Sequence, residues 1–451
     1  MKRNWSRSTK ALVAVSALAL GGLLAFRAIT SARDARMRLD HEHKPLVVFV
    51  IIDALRRDHV GALGYDRATT PNLDRLVNEG FVASGTLAQA SQTAPSVASI
   101  FTSTAPHVHG VQFDPRTRGF GNKGRSKAPL LAERNLTLAE VLSQAGYFTA
   151  GAVANPWLRK KFGYSQGFDH YIALPCHKRG RGICDGARIN QEATKIIRAH
   201  PAEKTFLYLH YMDVHNPYAH AGKLPRVFRK GPGHVVYKNG LAPGVSKDEV
   251  AYSIDAYDDG LLYTDRLIGK LVTELEAAAA ARDVLLVITS DHGDEFLEHG
   301  GLGHGSTLYP ELIETFAIFW RPDGRMSRSP VQRPSRSMDI APTILDLVRT
   351  QKPPEMAGNS LLEPVPDEAI VSELARKKAA IKDGWGLIRD LDSSEDELVA
   401  YSAAHGAAPS PRLVEELRSL LDSLRVRETP INTKVPDSAV VQQLKALGYV
   451  E

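Results

Sequence analysis

The stretch PLVVFVIID, residues 45–53, is a run of mostly β-branched apolar residues that ends in a single aspartate. A continuous apolar run of this length is typical of a parallel strand that is buried on both faces of a sheet. Similar runs occur at TFLYLHYM (205–212) and DVLLVITS (283–290), and weaker ones at FTAGAVA (148–154) and IETFAIFW (313–320). We therefore predict strands at these five positions.

Helical segments alternate with these strands. TLAEVLSQAGY (137–147) begins with a threonine and ends at a glycine, and residues 246–281 begin with the Ser246 and Glu249 spacing of a capping box. This alternation predicts an α/β fold with a doubly wound, mostly parallel sheet flanked by helices. The pattern changes after a proline-rich segment near residue 353, and we expect a small C-terminal α+β subdomain there.

Length and composition place few limits on function. The chain has 451 residues, 43% of them hydrophobic, and its net charge of +5 is small against 56 basic and 51 acidic residues. Since basic and aromatic residues do not interleave, nucleic acid is not an expected partner. We predict a catalytic domain over residues 45–362 and a C-terminal subdomain with a helical tail over residues 363–451.

The N-terminus has the pattern of an export signal. Residues 1–10 are basic, and an apolar segment follows over residues 11–29. Its length lies between a signal-peptide core and a transmembrane helix, so a cleaved signal peptide and an uncleaved signal anchor both stay open. Either predicts an exported body, membrane-anchored or periplasmic/extracellular, with residues 1–10 in the cytoplasm if the anchor is kept. Outside the cytoplasm, Cys176 and Cys184 could form a disulfide or remain two thiols.

Polar residues collect at the ends of three predicted strands. Asp53 follows the first, Asp291 and His292 follow the strand at 283–290, and a His/Asp/His group ends the strand at 205–212. Any one of these carboxylates could simply cap the next helix. Because parallel strands bring their carboxyl ends to one sheet edge, where ligands bind, the three together predict a divalent cation site.

The segment SQTAPSVASIFTS (91–103) is the predicted start of a helix, with Thr93 at or next to the N-cap and Pro95 in an early helical position. Taken alone, Thr93 is well explained as an ordinary cap. A divalent ion lowers the pKa of bound water from about 15.7 to about 7 and should act similarly on a hydroxyl. A helix N-terminus also favours an anionic substrate. Thr93 is therefore a candidate nucleophile for a phosphate or sulfate ester.

Five segments occur in a fixed order along the chain. They are IIDALRRDHVGALGYDRATTPNLDRLVNEG (51–80), TAPSVASIFTSTAPHVHGV (93–111), YLHYMDVHNPY (208–218), SDHGDEFLEHGGLGHG (290–305), and SMDIAPTILDLV with AGNSL (337–361). In this order they resemble the motifs of the sulfatase family of the alkaline phosphatase superfamily. The resemblance implies an alkaline-phosphatase-like fold. It also implies a metal held by Asp53, Asp291 and His292, with the nucleophile Thr93 as the fourth protein ligand.

The sequence departs from the sulfatase pattern at positions that matter for chemistry. Sulfate-ester hydrolases of this family carry Cys or Ser, which becomes formylglycine, in a Cys/Ser-x-Pro-Ser-Arg motif. Here Thr93 occupies the first position and Val97 the last, and Ala54 replaces the second residue of the usual Asp-Asp pair. The family's Gly-Lys-Trp-His stretch is absent from residues 152–169. Because threonine cannot form the aldehyde, we predict no formylglycine and a place among the threonine-nucleophile relatives, which handle phosphoesters.

The resemblance also suggests roles for further polar residues. His215 and His304 match positions that contact or protonate the transferred group, and we interpret both as catalytic. Asp213 could join them around a second metal ion.

Four other residues receive weaker interpretations. Asn155 and His109 are expected to bind substrate, whereas His210 and His299 are interpreted as contacting a metal ligand or as structural.

The first functional hypothesis is a metal-dependent hydrolase or transferase that acts on phosphoesters through a covalent Thr93 intermediate. Mn²⁺, Zn²⁺, Mg²⁺ and Ca²⁺ are all acceptable, and His292 favours Mn²⁺ or Zn²⁺. The alternatives are a sulfuric ester hydrolase of undetermined substrate and a non-catalytic anion-binding protein. The expected partners are an anionic ester, attached to a lipid or a glycan, and a membrane that holds the N-terminal segment.

Overall fold

A computed structural model describes residues 37–40, 42, 44–113, 128–174, 185–218, 226–236, 239–326, 331, 334–364, 366–402, 408–424 and 433–434. The apolar segment 11–29 and both cysteines lie outside these residues. Among the helices that the structure describes, none combines the length and the apolar character needed to cross a bilayer.

Strands and helices alternate through most of the chain. The strands are β1 (Leu46–Ile52), β2 (Phe81–Leu87), β3 (Ala128–Pro129), β4 (Phe148–Val153), β5 (His170–Ala173), β6 (Thr205–Tyr211), β7 (Gly240–Leu241), β8 (Val284–Ser290), β9 (Glu295–Phe296), β10 (Gly301–Gly303), β11 (Glu314–Trp320), β12 (Ser335–Arg336), β13 (Ile370–Glu373), β14 (Lys377–Lys382), β15 (Trp385–Asp390), β16 (Asp396–Ala400) and β17 (Thr433–Lys434). The helices are α1 (Pro71–Glu79), α2 (Thr93–Thr102), α3 (Pro106–His109), α4 (Leu138–Gln144), α5 (Gly186–Ala199), α6 (Lys247–Ala278), α7 (Pro310–Ile313), α8 (Ile340–Leu347) and α9 (Pro411–Leu424).

The central sheet has eight strands in the order β12–β2–β11–β8–β1–β6–β4–β5. Neighbouring strands are parallel except at β11, which runs antiparallel to both β2 and β8. The five predicted strands correspond to β1, β4, β6, β8 and β11. The predicted α/β fold with a mostly parallel, helix-flanked sheet is therefore confirmed.

Helices cover both faces of this sheet. Apolar residues of α2, α4 and α8 pack on one face, and those of α1, α5 and α6 pack on the other. The two helices predicted from capping patterns form as expected: Thr137 and Ser246 each accept a hydrogen bond from the backbone three residues on. Because both faces are buried, β1 is apolar throughout, and its alternate residues divide between the two apolar clusters.

A second sheet forms the C-terminal subdomain, as the change of sequence pattern predicted. Strands β13–β14–β15–β16 are antiparallel, and α9 packs its leucines against β14 and β15. The subdomain contacts the loop between β2 and α2. Glu373 N donates to Gln89 O at 2.7 Å, and Ser372 Oγ donates to Ala88 O at 2.7 Å. It thereby supports the segment that leads into Thr93.

Candidate functional site

Four strand ends place polar side chains on the sheet face that α2 covers. Along β1, β4, β6 and β8, residues pointing to this face belong to one apolar cluster. Every second residue of a strand points to the same face. Counting in steps of two from these apolar residues to the carboxyl ends of the strands gives Asp53, Asn155, His210 and Asp291. All four are buried. The predicted convergence of strand ends is therefore present in the fold.

Thr93 faces this group of side chains from the first residue of α2, with Gln92 as the N-cap. Ser96 Oγ donates to Asp291 O at 2.7 Å, which ties the first turn of α2 to the loop after β8. Thr93 Oγ1 lies 3.3 Å from His292 Nε2 and 3.3 Å from Asn155 Nδ2. The hydroxyl and the helix N-terminus thus face the same polar cluster.

Asp53 and Asp291 each have one engaged oxygen and one without a hydrogen-bond partner among the described residues. Asp53 Oδ2 accepts from Asn155 Nδ2 at 2.6 Å, and Asp291 Oδ1 accepts from the backbone N–H groups of Ala54 and His292. Asp53 Oδ1 and Asp291 Oδ2 are left over. Burial and the nearby Asp291 carboxylate raise the pKa of Asp53 well above its ordinary value. Buried carboxylates in this arrangement fit a cation.

His292 completes the fit to a metal ion. Its Nδ1 lies 3.0 Å from Gly293 O, which can only accept, so Nδ1 carries the proton and Nε2 presents its lone pair. Nε2 is 3.5 Å from Asp291 Oδ2 and 3.7 Å from Asp53 Oδ1. Two atoms that each bind one ion at about 2.1 Å lie about 3.4 Å apart at a tetrahedral angle. Burial also lowers the pKa of His292 and keeps the ring neutral.

His210, interpreted from the sequence as contacting a metal ligand or as structural, lies in the same cluster. Its Nε2 is 3.7 Å from Asp53 Oδ2, and one ligand atom each of Asp53, His210 and Asp291 lie within 4.8 Å of one another. Burial lowers the pKa of His210 to about 3. Strand parity could have identified it, because Tyr208, two residues earlier, points to the same face.

His215 and His304 lie beside the cluster and next to each other. The His304 ring centroid is 4.3 Å from that of His292 and 5.0 Å from that of His215. His215 Nδ1 donates to Asn216 O at 2.6 Å, which leaves Nε2 as the acceptor. Burial, with a smaller effect from His304, lowers the pKa of His215 to about 3.

Asp294 orients His304. Asp294 Oδ1 accepts from His304 Nδ1 at 2.6 Å, and Asp294 Oδ2 accepts from the Tyr218 hydroxyl at 2.7 Å. Burial alone would raise the pKa of Asp294, but the His304 ring and these hydrogen bonds hold it below its ordinary value. An ionised carboxylate therefore holds His304 Nδ1–H. No role for Asp294 was predicted from the sequence, because its pairing with a histidine ten residues later depends on the loop between them.

Asp213 does not join His215 and His304 in a second metal site. Both of its carboxylate oxygens lie 3.0 Å from Gly186 N at the start of α5, on the opposite side of the sheet. Burial raises the pKa of Asp213 to about 7. The strand ends at Tyr211, and the turns that follow it over residues 213–217 carry Asp213 and His215 to different sides.

His109 is placed in the packing behind α2, away from Thr93. Val111 N donates to its Nδ1 at 3.0 Å, so the proton lies on Nε2, which is 3.0 Å from Ser99 Oγ. Ser99 follows Thr93 by six residues, or about 9 Å along the helix. His109 is fully buried, and its predicted contact with substrate finds no support in this geometry.

A second group of ligand-capable side chains lies on the surface. One atom each of Glu295, His299 and Glu311 lie within 4.8 Å of one another. Internal hydrogen bonds account for them: His299 Nδ1 is 2.8 Å from Glu311 Oε1, and Glu295 Oε1 accepts from the backbone of His299 and Gly301.

Known proteins resemble this chain in sequence and in fold. A model of the family described as Sulfatase matches residues 45–350. Arylsulfatase A of Bos taurus is 25% identical over 353 residues, covering 68% of this chain and 65% of that protein. Phosphatidylethanolamine transferase Mcr-2 of Escherichia coli is 28% identical over 317 residues, covering 68% and 54%. The crystal structure of phosphonate monoester hydrolase of Agrobacterium radiobacter gives a TM-score of 0.65 at 17% identity, covering 87% and 97%. The chain spans less than two thirds of the length of these two curated relatives.

Proposed function

The chain belongs to the sulfatase family, and from this premise we propose that it is a metal-dependent hydrolase or transferase of phosphoesters with Thr93 as nucleophile. The observation that carries the proposal is the position of Thr93 Oγ1. It lies at a helix N-terminus, 3.3 Å from His292 Nε2 and beside a buried carboxylate pair with two unengaged oxygens.

Asp53, Thr93, Asp291 and His292 would hold the divalent ion. Its chemistry would be to lower the pKa of the Thr93 hydroxyl, so that the proton leaves to solvent, and to neutralise charge on the phosphoryl oxygens. A ligand set that mixes carboxylates with imidazole favours Mn²⁺ or Zn²⁺, while Ca²⁺ and Mg²⁺ stay acceptable.

The side chains then have separate roles in a double displacement. Thr93 Oγ1 forms a bond to phosphorus as the bond from phosphorus to the leaving oxygen breaks, which gives a phosphothreonine. His304, protonated on both ring nitrogens with its Nδ1–H held by Asp294, donates a proton from Nε2 to the leaving oxygen, whereas His215 is neutral and its Nε2 can only accept. The same ring then removes a proton from water or an acceptor alcohol, whose oxygen attacks phosphorus and releases Thr93. The N–H groups at the start of α2 favour the anionic group throughout.

The sequence departures support phosphate over sulfate. Threonine cannot become formylglycine, and Val97, where the resemblance expects arginine, is fully buried in the apolar cluster. Ala54 replaces a second aspartate and has a left-handed backbone with φ of 58°. The site therefore offers fewer charged groups to a sulfate than the family pattern implies.

A sulfuric ester hydrolase without formylglycine is the second candidate, because relatives such as arylsulfatase A are named for that activity. For either ester we propose an anionic substrate attached to a lipid or a glycan, in line with the names of a phosphatidylethanolamine transferase and an N-acetylglucosamine-6-O-sulfatase among the relatives. Export of the domain, and its link to a membrane, stay predictions from the N-terminal segment.

One set of measurements tests the proposal. The metal content of the purified protein is determined, and turnover of an aryl phosphodiester is compared with that of an aryl sulfate. Thr93→Val removes the hydroxyl at nearly constant volume and should abolish turnover. Thr102→Val is the matched control on the same helix, because the Thr102 hydroxyl bonds only to Ala98 O and Thr104 among the described residues. Sulfate turnover without phosphoester turnover would overturn the proposal in favour of the second candidate.

A further inference from the structure

We propose that His210 is an additional ligand of the ion in the Asp53–Asp291 site, an inference that rests on the proposed function. The family resemblance names no metal ligand at this position, and from the sequence we interpreted the residue as contacting a metal ligand or as structural. Its Nε2, Asp53 and Asp291 offer ligand atoms that all lie within 4.8 Å of one another.

The position of His210 follows from the sheet. β6 pairs in parallel with β1, and His210 lies opposite Ile51, two residues before Asp53. Its side chain has the same parity as Phe206 and Tyr208, which pack in the cluster beneath α2. On this face of β6 the side chains are aromatic up to His210, which is the imidazole at the site.

The surroundings of the ring indicate a missing partner. His210 is fully buried, and neither ring nitrogen has a hydrogen-bond partner among the described residues. A buried polar group without a partner is costly, so one that persists calls for an explanation such as an ion. The other fully or nearly fully buried histidines each have a ring nitrogen within hydrogen-bonding distance of a partner: His59, His109, His215, His292 and His304.

A cation accounts for several unengaged atoms together. Within the part of the chain that the structure describes, Asp53 Oδ1, Asp291 Oδ2 and the ring nitrogens of His210 are buried without hydrogen-bond partners. The 3.7 Å between His210 Nε2 and Asp53 Oδ2 is too long for a hydrogen bond and is of the size that separates two ligands of one ion. A second imidazole beside His292 would shift the preference further from Ca²⁺ and Mg²⁺ towards Zn²⁺ or Mn²⁺.

His210→Phe is the variant that tests this, because phenylalanine fills the site, cannot ligate and continues an aromatic row. Tyr208→Phe is the matched control on the same face of β6, since it removes only a buried hydroxyl without a partner among the described residues. Zn²⁺ and Mn²⁺ affinities are measured by calorimetry on the full chain. Loss of groups that merely support a metal ligand typically costs 10- to 100-fold in affinity, so His210→Phe should lose at least about 100-fold and Tyr208→Phe little.

Two further readouts separate ligation from a packing role. X-ray absorption of the zinc-loaded protein should count two imidazoles in wild type and one in His210→Phe. In the metal-free state, His210→Phe should unfold at a higher temperature than wild type, because it removes unpartnered buried nitrogens. A variant that is more stable without metal and binds it more weakly cannot be explained by damaged packing.

The outcomes distinguish the two proposals. A wild-type protein that binds none of Zn²⁺, Mn²⁺, Ca²⁺ and Mg²⁺ overturns the proposed function as well as this inference, and one that binds only Ca²⁺ or Mg²⁺ overturns the inference alone. If wild type binds metal but His210→Phe keeps the same affinity and imidazole count, only the inference fails. Weaker binding with an unchanged imidazole count also overturns it, since His210 would then act only by positioning Asp53.

Discussion

Replacing Asp294 with asparagine should slow the reaction in a way that depends on the leaving group. Asp294 is fully buried and accepts hydrogen bonds from His304 Nδ1 at 2.6 Å and from the Tyr218 hydroxyl at 2.7 Å. An asparagine at this position keeps an oxygen for His304, and its amide can donate to the Tyr218 oxygen. The variant therefore removes the charge and keeps the geometry.

The magnitude follows from the hydrogen bond that loses its charge. A hydrogen bond contributes about 1.5–3 kcal/mol when one partner is charged and about 0.5–1.5 kcal/mol when both are neutral, so the loss of charge costs about 1–1.5 kcal/mol. Each 1.4 kcal/mol changes a rate about tenfold. If His304 donates the proton to the leaving oxygen, kcat/KM for an alkyl phosphodiester should therefore fall about 5- to 12-fold. A nitrophenolate leaves without a proton, so the 4-nitrophenyl ester should lose much less.

The assay compares the two esters at matched metal saturation, using kcat/KM because it includes the departure of the leaving group. Tyr218→Phe is the control: it keeps the carboxylate and the His304 bond and should cost less than Asp294→Asn on the alkyl ester. An equal loss on both esters would mean that Asp294 serves structure alone. No loss on the alkyl ester would refute the assignment of His304 as the proton donor.

Three other predictions concern the same region. Asn155→Ala removes the hydrogen bonds that the Asn155 side chain makes to Asp53 Oδ2 and Trp157 N, so kcat/KM should fall about 10- to 100-fold. Unchanged kinetics would show that Asn155 has no role in the reaction. Removal of metal by a chelator should abolish turnover and lower the unfolding temperature, and metal at 100 times its Kd should restore about 2.7 kcal/mol; full activity in the chelated protein would contradict the metal assignment. Burial lowers the pKa of His109 from 6.5 to about 3. Between these pH values the unfolded chain binds a proton at His109 and the folded chain does not, so the free energy of unfolding decreases as pH falls. Urea unfolding should therefore show wild type losing about 1.4 kcal/mol per pH unit relative to His109→Gln from pH 6.5 towards 3, whereas a constant difference would contradict it.

Features that depend on neighbouring residues were predictable from the sequence. The apolar run before Asp53 indicated a strand buried on both faces, and Ser246 with Glu249 marked the start of α6, because strand patterning and capping are decided within a few residues. Convergence of Asp53, Asp291 and His292 needed only the rule that parallel strands end at one sheet edge. The presence of Thr93 where the family motif has Cys or Ser was likewise visible in the sequence itself.

Features that depend on distant partners were not predictable in this way. Asp213 turns to the opposite face because Gly186, 27 residues earlier, begins a helix there and offers its N–H. His210 could be placed on the correct face by parity, but its lack of hydrogen-bond partners is visible only when the surrounding elements are assembled. The pairing of His304 with Asp294 depends on the path of the loop that joins them.

The charges of the site imply an order of binding. Asp53, Asp291 and Asp294 are all buried within it, and burial keeps His210, His215 and His292 neutral by lowering their pKa values. Without a cation this pocket is acidic, and an anionic ester would meet repulsion that little water is present to screen. The raised pKa of Asp53 favours binding of a proton, which relieves part of that repulsion. A metal ion must compete with this proton for Asp53. The ion should therefore bind before the ester, more weakly as pH falls, and free phosphate should bind detectably only to the metal-loaded protein.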